Sequence, residues 1–274
     1  VVSTEQGVLL FENRTQHVLY HGDNLRVLKS LDANIVNLVY IDPPFNTGDI
    51  QSLNKYQYSD IFQNRQEFLK FLSDRLIEIK RVLTENGSLF LHIDQRESHY
   101  CKILLDNIFG EECFMNEIIW AYDYGGRSKS KWSKKHDNIF WYVNDSNNYT
   151  FNLDNSDRLE YMAPKLVGEE KAELGKIPTD VWWHTIVHTH GKERTGYPTQ
   201  KPLGIINRIV KVHSNKGDLL MDCFAGSGSI GEAAVINDRN SILIDINPQA
   251  IEVIQKRMNK YTDISVRKFD NERD

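Results

Sequence analysis

A chain of 274 residues with 40% hydrophobic and 26% charged side chains can bury a full core, and none of its apolar runs approaches a bilayer span. No charged-then-apolar leader opens it, so the expected location is the cytoplasm, and a start at Val1 reads as a trimmed end. A net charge of −5 excludes a surface that is basic throughout, so a nucleic-acid partner would have to be met by a local basic patch.

Residues 1–16 read as a loose arm. Residues 17–20 form a short strand-like run, followed by a turn at Gly22 and a helix with Leu25, Val27, Leu28 and Leu31 on its buried face. Asp23 or Asn24 caps that helix, and on this pattern alone Asp23 is as fit to be a plain cap as a ligand. Residues 35–40 have the length and β-branched content of a buried strand. Pro43 and Pro44 then stop it, because neither has an N–H and each steers the residue before it away from helix. The result presents Asp42 and Phe45 on a stiff bend at a strand end, where ligands bind in parallel α/β sheets.

A polar loop is expected over 49–64, then a helix carrying Phe68, Leu72, Leu76, Ile79 and Val82 that Asn86-Gly87 stops. Strands at 88–94, 117–122 and 138–143 and a helix at 101–109 continue an alternation that predicts a doubly wound, mostly parallel α/β sheet. Residues 144–189 lose periodicity, which marks an inserted lobe or long loop. Order returns at Tyr197-Pro198-Thr199-Gln200-Lys201-Pro202, before a helix through Ile206, Ile209 and Val210. A strand to Asp222, a glycine loop, a helix, a strand to Asp245 and a last helix through Met258 follow, with a frayed tail from about Tyr261. The organisation expected is an arm at 1–16, one half-domain at 17–143, an insertion at 144–190, a second half-domain at 191–260 and a tail at 261–274.

Several motifs carry chemistry. Gly226-Ser227-Gly228-Ser229-Ile230-Gly231 fits G-x-G-x-x-G between a strand and a helix, with Asp245 ending the next strand and able to accept both hydroxyls of a ribose. An NAD(P)-dependent oxidoreductase is one reading. Asp222 ahead of the loop argues against it, since an acid there suits an amino group better than a pyrophosphate. Residues 125–136 hold the local basic patch, with Arg127, Lys129, Lys131, Lys134, Lys135 and His136 around Trp132 and no acid. Trp182, Trp183, His184, His188 and His190 invite a metal reading, but no cysteine or carboxylate stands at ligand spacing, so no metal is expected. Cys101, Cys113 and Cys223 lack paired spacing and read as buried, reduced thiols.

Asp42-Pro43-Pro44-Phe45, Tyr197-Pro198-Thr199-Gln200-Lys201-Pro202, Asp222-Cys223-Phe224-Ala225-Gly226-Ser227-Gly228-Ser229 and Asp245, in that order over residues 17–258, resemble a family. It is the β group of S-adenosylmethionine-dependent DNA amino-methyltransferases, which act on adenine N6 or cytosine N4. The resemblance implies a Rossmann-like methyltransferase sheet, circularly permuted, with 144–190 as the target-recognition insertion. It implies S-adenosylmethionine held by Asp222 at its ammonium, by Asp245 with Ile246 and Asn247 at its ribose, and by Asp23 at its adenine. Lys201, between Thr199 and Pro202, would pair with the cofactor carboxylate, and the loop 224–229 with Asp42 would complete the pocket. Asp42 and the Pro43 carbonyl would accept the two N–H bonds of the target amine, and Phe45 would stack on a flipped base. It further implies double-stranded DNA as substrate, a cognate restriction endonuclease and a homodimer as partners, and no membrane. Ser229 stands where threonine is often found and Phe45 where tyrosine is commoner. Asp rather than Ser before Pro-Pro favours adenine within the family. Glutamine or RNA amine methylation, and a DNA-binding module without activity, are the remaining alternatives.

Overall fold

The computed structural model describes residues 16–46, 49–53, 56–60, 62–188 and 191–269. The arm up to residue 15, Thr47 and Gly48, Thr189 and His190, and the tail from residue 270 lie outside the described residues.

The first half runs β1 (His17–His21), α1 (Asn24–Ser30), β2 (Val36–Ile41), β3 (Asp49–Leu53), β4 (Tyr56–Asp60), α2 (Arg65–Val82), β5 (Leu83–Ile93), α3 (Ser98–Phe109), β6 (Phe114–Ala121) and β7 (His136–Val143). The second half adds α4 (Glu169–Leu174), β8 (Val181–Trp183), α5 (Leu203–His213), β9 (Leu219–Asp222), α6 (Ser229–Ile236), β10 (Asn240–Asp245), α7 (Pro248–Met258) and β11 (Ser265–Lys268). Among the described residues nine strands form one sheet in the order β11-β1-β10-β9-β2-β5-β7-β6-β8. Only β7 in that sheet runs against its neighbours, so the expected mostly parallel, doubly wound sheet is what forms. The central strands are buried apolar runs, as helices on both faces of a parallel sheet require.

Parallel direction decides where the site sits. β2, β9, β10 and β1 all end at one edge of the sheet, and their ends carry Asp42, Asp222, Asp245 and Asp23. β9 and β2 are far apart in sequence yet pair through Leu38 with Leu220 and Val39 with Met221, which sets the acceptor bend beside the glycine loop. Since β7 is antiparallel to both β5 and β6, the loop between β6 and β7 emerges at the same edge.

Four expectations change. The polar loop at 49–64 contains a separate antiparallel pair, β3 with β4; tyrosine, serine and glutamine outnumber its aliphatics but are compatible with strands. The helix expected to stop at Asn86-Gly87 stops at Val82. Leu83 turns extended and donates its N–H to the Ile79 carbonyl, and the chain enters β5 without a loop, with Asn86 and Gly87 inside the strand. The tail is no frayed end at 265–268, because β11 pairs in parallel with β1 and the Phe269 N–H bonds the His21 carbonyl at 3.0 Å. Gly22 permits this close approach: a Cβ there would stand 2.8 Å from the Phe269 Cβ. Finally, the stretch without periodicity holds α4 and β8 within residues 144–188, and β8 extends the sheet beside β6. Asp157 of that stretch forms a two-pronged ion pair with Arg208 of α5 at 2.7 and 2.6 Å, and the Arg208 guanidinium lies 4.8 Å from the ring of buried Trp182.

Candidate active site

The acceptor bend is held from three sides. Asn46 adopts a left-handed backbone (φ 54°), and its Nδ2 donates to Glu97 Oε1 at 3.1 Å, while Glu97 Oε2 takes Arg65 Nε at 2.8 Å. Asp42 follows β2 directly, and its Oδ2 accepts from Lys201 Nζ at 2.5 Å. Asp42 Oδ1 is buried without a hydrogen-bond partner. Lys201, itself only 8% exposed, also lies 5.1 Å from the centre of the Phe45 ring. The turn that delivers this lysine is braced internally. Gln200 Oε1 accepts from Thr195 N and Oγ1, both at 2.8 Å, and Gln200 Nε2 donates to the Glu193 carbonyl at 2.8 Å. Thr199 takes the left-handed conformation (φ 56°), and Pro202 caps α5.

The glycine loop lies across the crevice. Gly226 and Gly228 both have positive φ, 48° and 75°, and a Cβ on Gly226 would come within 3.3 Å of the Tyr197 ring. Asp245 braces the loop by accepting from the N–H groups of Gly226 and Asn247, each at 2.8 Å. Asp222 Oδ1 accepts from the Phe224 N–H at 2.9 Å. Burial is the main cause that holds the Asp222 carboxyl well above its usual range; the Phe224 N–H opposes the rise, the charges of Asp42 and Asp245 add to it, and Lys201 opposes it. Burial raises Asp245 as well, against the N–H groups of Asn247 and Gly226.

A cavity of about 360 Å³ joins these parts. It is lined by Asp23, Asp42, Pro44, Thr199, Lys201, Asp222, Phe224, Ala225, Gly226, Ser227, Ser229, Asp245, Ile246 and Asn247, so most of the expected cofactor residues meet in one place. Pro43, Phe45, Pro202 and Gly228 stand outside this lining. Two raised carboxyls and an orphaned carboxylate oxygen suit a ligand that carries positive charge. An ammonium and a sulfonium both qualify; a pyrophosphate does not.

The sequence profile described as DNA methylase, of the N6 and N4 type, matches residues 36–256. The chain belongs to this family. The type II methyltransferase M.HpaI of Haemophilus parainfluenzae is 31% identical to the methylase over 234 residues, covering 85% of this chain and 71% of the relative. The DNA adenine methyltransferase YhdJ of Escherichia coli K12 is 29% identical over 262 residues, covering 90% and 84%. Among solved structures, the cytosine-N4-specific PvuII DNA methyltransferase shares the fold with a TM-score of 0.66 at 14% identity, covering 92% of this chain and 95% of that one. The SAM complex of M1.HpyAVI does so at 0.61 and 19%, covering 89% and 100%. The family sets aside the oxidoreductase reading of the glycine loop.

Two of the cavity residues in the methylase also hold partners within the protein. Lys201 is engaged by Asp42 rather than presented to the cavity alone. Asp23 caps α1 by accepting from Arg26 N at 3.0 Å, and its other oxygen pairs with Arg75 Nη2 at 3.2 Å. Each Asp23 oxygen keeps a further lone pair for a ligand. The methylase presents Arg127, Lys129, Lys131 and Lys134 exposed on the loop between β6 and β7, with Trp132 98% exposed among them. Lys135 turns inward to the Tyr124 and Gly125 carbonyls at 2.7 and 2.9 Å, and His136 opens β7. Among the described residues no His, Cys, Asp and Glu groups converge on a metal position, and no helix is long and apolar enough to cross a membrane. The three cysteines are free and buried.

Sequence reasoning missed Arg257, which is 1% exposed beneath the loop. It donates to the Ser227 carbonyl at 3.0 Å and to Ser229 Oγ at 3.1 Å, and it pairs with buried Glu232, which also accepts from Tyr261 at 2.6 Å. An arginine on the inner face of an amphipathic helix was the available signal. Arg75, which lines the cavity and lies 3.6 Å from the Phe71 ring centre, was hidden the same way inside α2.

Proposed function

We propose that the methylase transfers a methyl group to N6 of an adenine flipped out of duplex DNA. The methyl donor is S-adenosylmethionine. Asp222 would meet its ammonium, Asp245 its ribose hydroxyls and Asp23 its adenine. Bound there, it supplies an electrophilic methyl on a sulfonium that is already a good leaving group.

The observation that carries the proposal is the state of Asp42. Lys201 occupies one oxygen and the other is buried with no partner, so the acceptor bend keeps a single carboxylate oxygen for a donor that arrives with substrate. An exocyclic base amine has two N–H groups and a lone pair delocalised into the ring. Asp42 Oδ1 and the Pro43 carbonyl accepting those N–H groups draw the nitrogen toward tetrahedral geometry and free the lone pair. Both acceptors gain as positive charge grows on nitrogen, so they favour the transition state over the ground state. Phe45 holds the base plane, and alignment contributes the rest. An amine stacked inside a duplex is out of reach of this pocket, so the base must leave the helix. The exposed lysines and Arg127 at the same edge supply the phosphate contacts.

Adenine is favoured by Asp before Pro-Pro and by the relative named as an adenine methyltransferase. Cytosine N4 is the second reading, because the PvuII neighbour is cytosine-N4-specific. We assign 144–190 to target recognition, and a restriction–modification setting with a cognate endonuclease, with the methylase acting as a homodimer. Plasmid DNA from cells expressing the protein should contain N6-methyladenine when digested to nucleosides and read by mass spectrometry, and modification-sensitive sequencing of the intact plasmid should place it at one short sequence. N4-methylcytosine in its place would move the assignment to cytosine. Asp42→Ala should abolish the mark even at saturating cofactor; near-normal transfer by that variant would refute the mechanism.

A further inference from the structure

Behind the acceptor bend lies a buried polar row that the proposed chemistry does not use. His92, fully buried on β5, sits between two oxygens: Tyr40 Oη is 2.7 Å from its Nδ1 and Asp137 Oδ2 is 3.1 Å from its Nε2. The Tyr122 hydroxyl donates to the other Asp137 oxygen at 3.1 Å. These side chains come from β2, β5, β7 and the end of β6, four neighbours in the sheet. Their registers (Tyr40 opposite Phe90, His92 opposite Ile139, Trp120 opposite Asp137) put them on one face. Burial by itself would raise the Asp137 carboxyl, but the bond from His92, the charges of His92 and Lys201, and the Tyr122 hydroxyl outweigh it and hold it below its usual range. Nε2 of His92 is hydrogen-bonded to Asp137 and Nδ1 to the Tyr40 hydroxyl, so each ring nitrogen has a partner on an opposite side.

Both ring nitrogens are therefore fixed, so the imidazole has one orientation. Trp120 packs edge-on against it at 5.5 Å. Among the described residues the one half-buried aromatic that rests on this ring is Phe45, whose centroid is 5.9 Å away and tilted by 30°. An apolar core residue would fill the space but would not fix a plane; a fully satisfied polar network does.

We infer that His92, locked between Tyr40 and Asp137, is a positioning residue that sets the plane of Phe45 for stacking on the flipped base. The inference rests on the proposed function, and it makes His92 act through Phe45 alone, touching neither base nor methyl donor.

The test is a double-mutant cycle of His92→Leu and Phe45→Ala, read by single-turnover methyl transfer and by 2-aminopurine fluorescence at the target position. His92→Leu should lower the transfer rate by roughly 10- to 100-fold while cofactor and DNA affinities stay within about twofold. Its flipped 2-aminopurine should be brighter than in the native protein, because the quenching stack is lost. In the Phe45→Ala background the same change should cost almost nothing further. Penalties that multiply would overturn the inference, as would a normal rate in His92→Leu. If His92→Leu loses cofactor binding, the cycle is run with His92→Gln, which keeps a donor for Asp137, under the same criteria. A native protein that methylates cytosine corrects only the base, and the cycle then proceeds on that substrate. A native protein that methylates no DNA refutes the proposed function and this inference with it.

Discussion

Lys201→Met separates two roles for one cation. Its Nζ lies 2.5 Å from Asp42 Oδ2, with side chains 9% and 18% exposed. Truncating one partner of a buried pair costs roughly 3–5 kcal/mol, and the residual exposure of Asp42 argues for the lower end, about 3 kcal/mol. That free energy falls on the acceptor bend, where it corresponds to about a hundredfold in rate. Single-turnover transfer at saturating S-adenosylmethionine should therefore drop about a hundredfold in Lys201→Met, while its cofactor affinity falls by less than about tenfold. Lys201→Arg keeps the charge in a different geometry and should recover part of the rate. If the loss appears in cofactor affinity while the saturated rate stays near normal, Lys201 serves the cofactor carboxylate and the reasoning from its distance to Asp42 is refuted.

The remaining predictions concern charge. Because burial raises Asp222, its carboxyl ionises only as pH climbs past the usual carboxylate range. A raised acid favours the free folded state below its unfolded pKa, and that contribution is lost as pH rises through the folded value. Affinity for a cationic cofactor should move the opposite way, rising over the same interval, and calorimetry should find a proton released on binding; Asp222→Asn should weaken binding and flatten the dependence. Lys131→Glu with Lys134→Glu should lower DNA affinity and reduce the salt slope by about two counterions in total, with cofactor affinity unchanged; an unaltered slope would remove the loop from the DNA interface. Arg257→Met leaves Glu232 buried without its cation and should cost roughly 3–5 kcal/mol of stability in denaturant unfolding, with the glycine loop losing cofactor affinity as well. Asp42→Ala, by contrast, should transfer nothing even when cofactor and DNA are both saturating.

Much of the site was legible because its residues carry local signals. Asp42 stands beside two prolines, Asp222 and Asp245 each end an apolar strand, and Gly226 and Gly228 between them take positive φ. What was hidden depends on tertiary partners. Nothing near Lys201 in sequence tells that a residue from the other half of the chain, Asp42, will be its counter-ion. Arg75 and Arg257 occupy helical positions that composition assigns to solvent, and only the packing of α2 and α7 buries them. β11 was lost for a similar reason. Its Ser265-Val266-Arg267-Lys268 is too short and polar to announce a strand, and it forms because β1 offers an unpaired edge.

The reversed direction of β7 has a consequence for how such enzymes can be altered. A parallel strand in that place would have needed a long crossover, and the connection from β6 would have left the catalytic edge. The antiparallel hairpin instead closes at Tyr122, whose N–H bonds the Lys135 carbonyl at 2.9 Å, and everything between is free of the sheet ladder. Closing a longer segment there costs little, since the entropy of closure grows only with the logarithm of length. The hairpin tip is thus an exchangeable cassette: the loop we propose to grip DNA can be lengthened, shortened or transplanted while β2 and β7, beside Asp42 and carrying Asp137, keep their register.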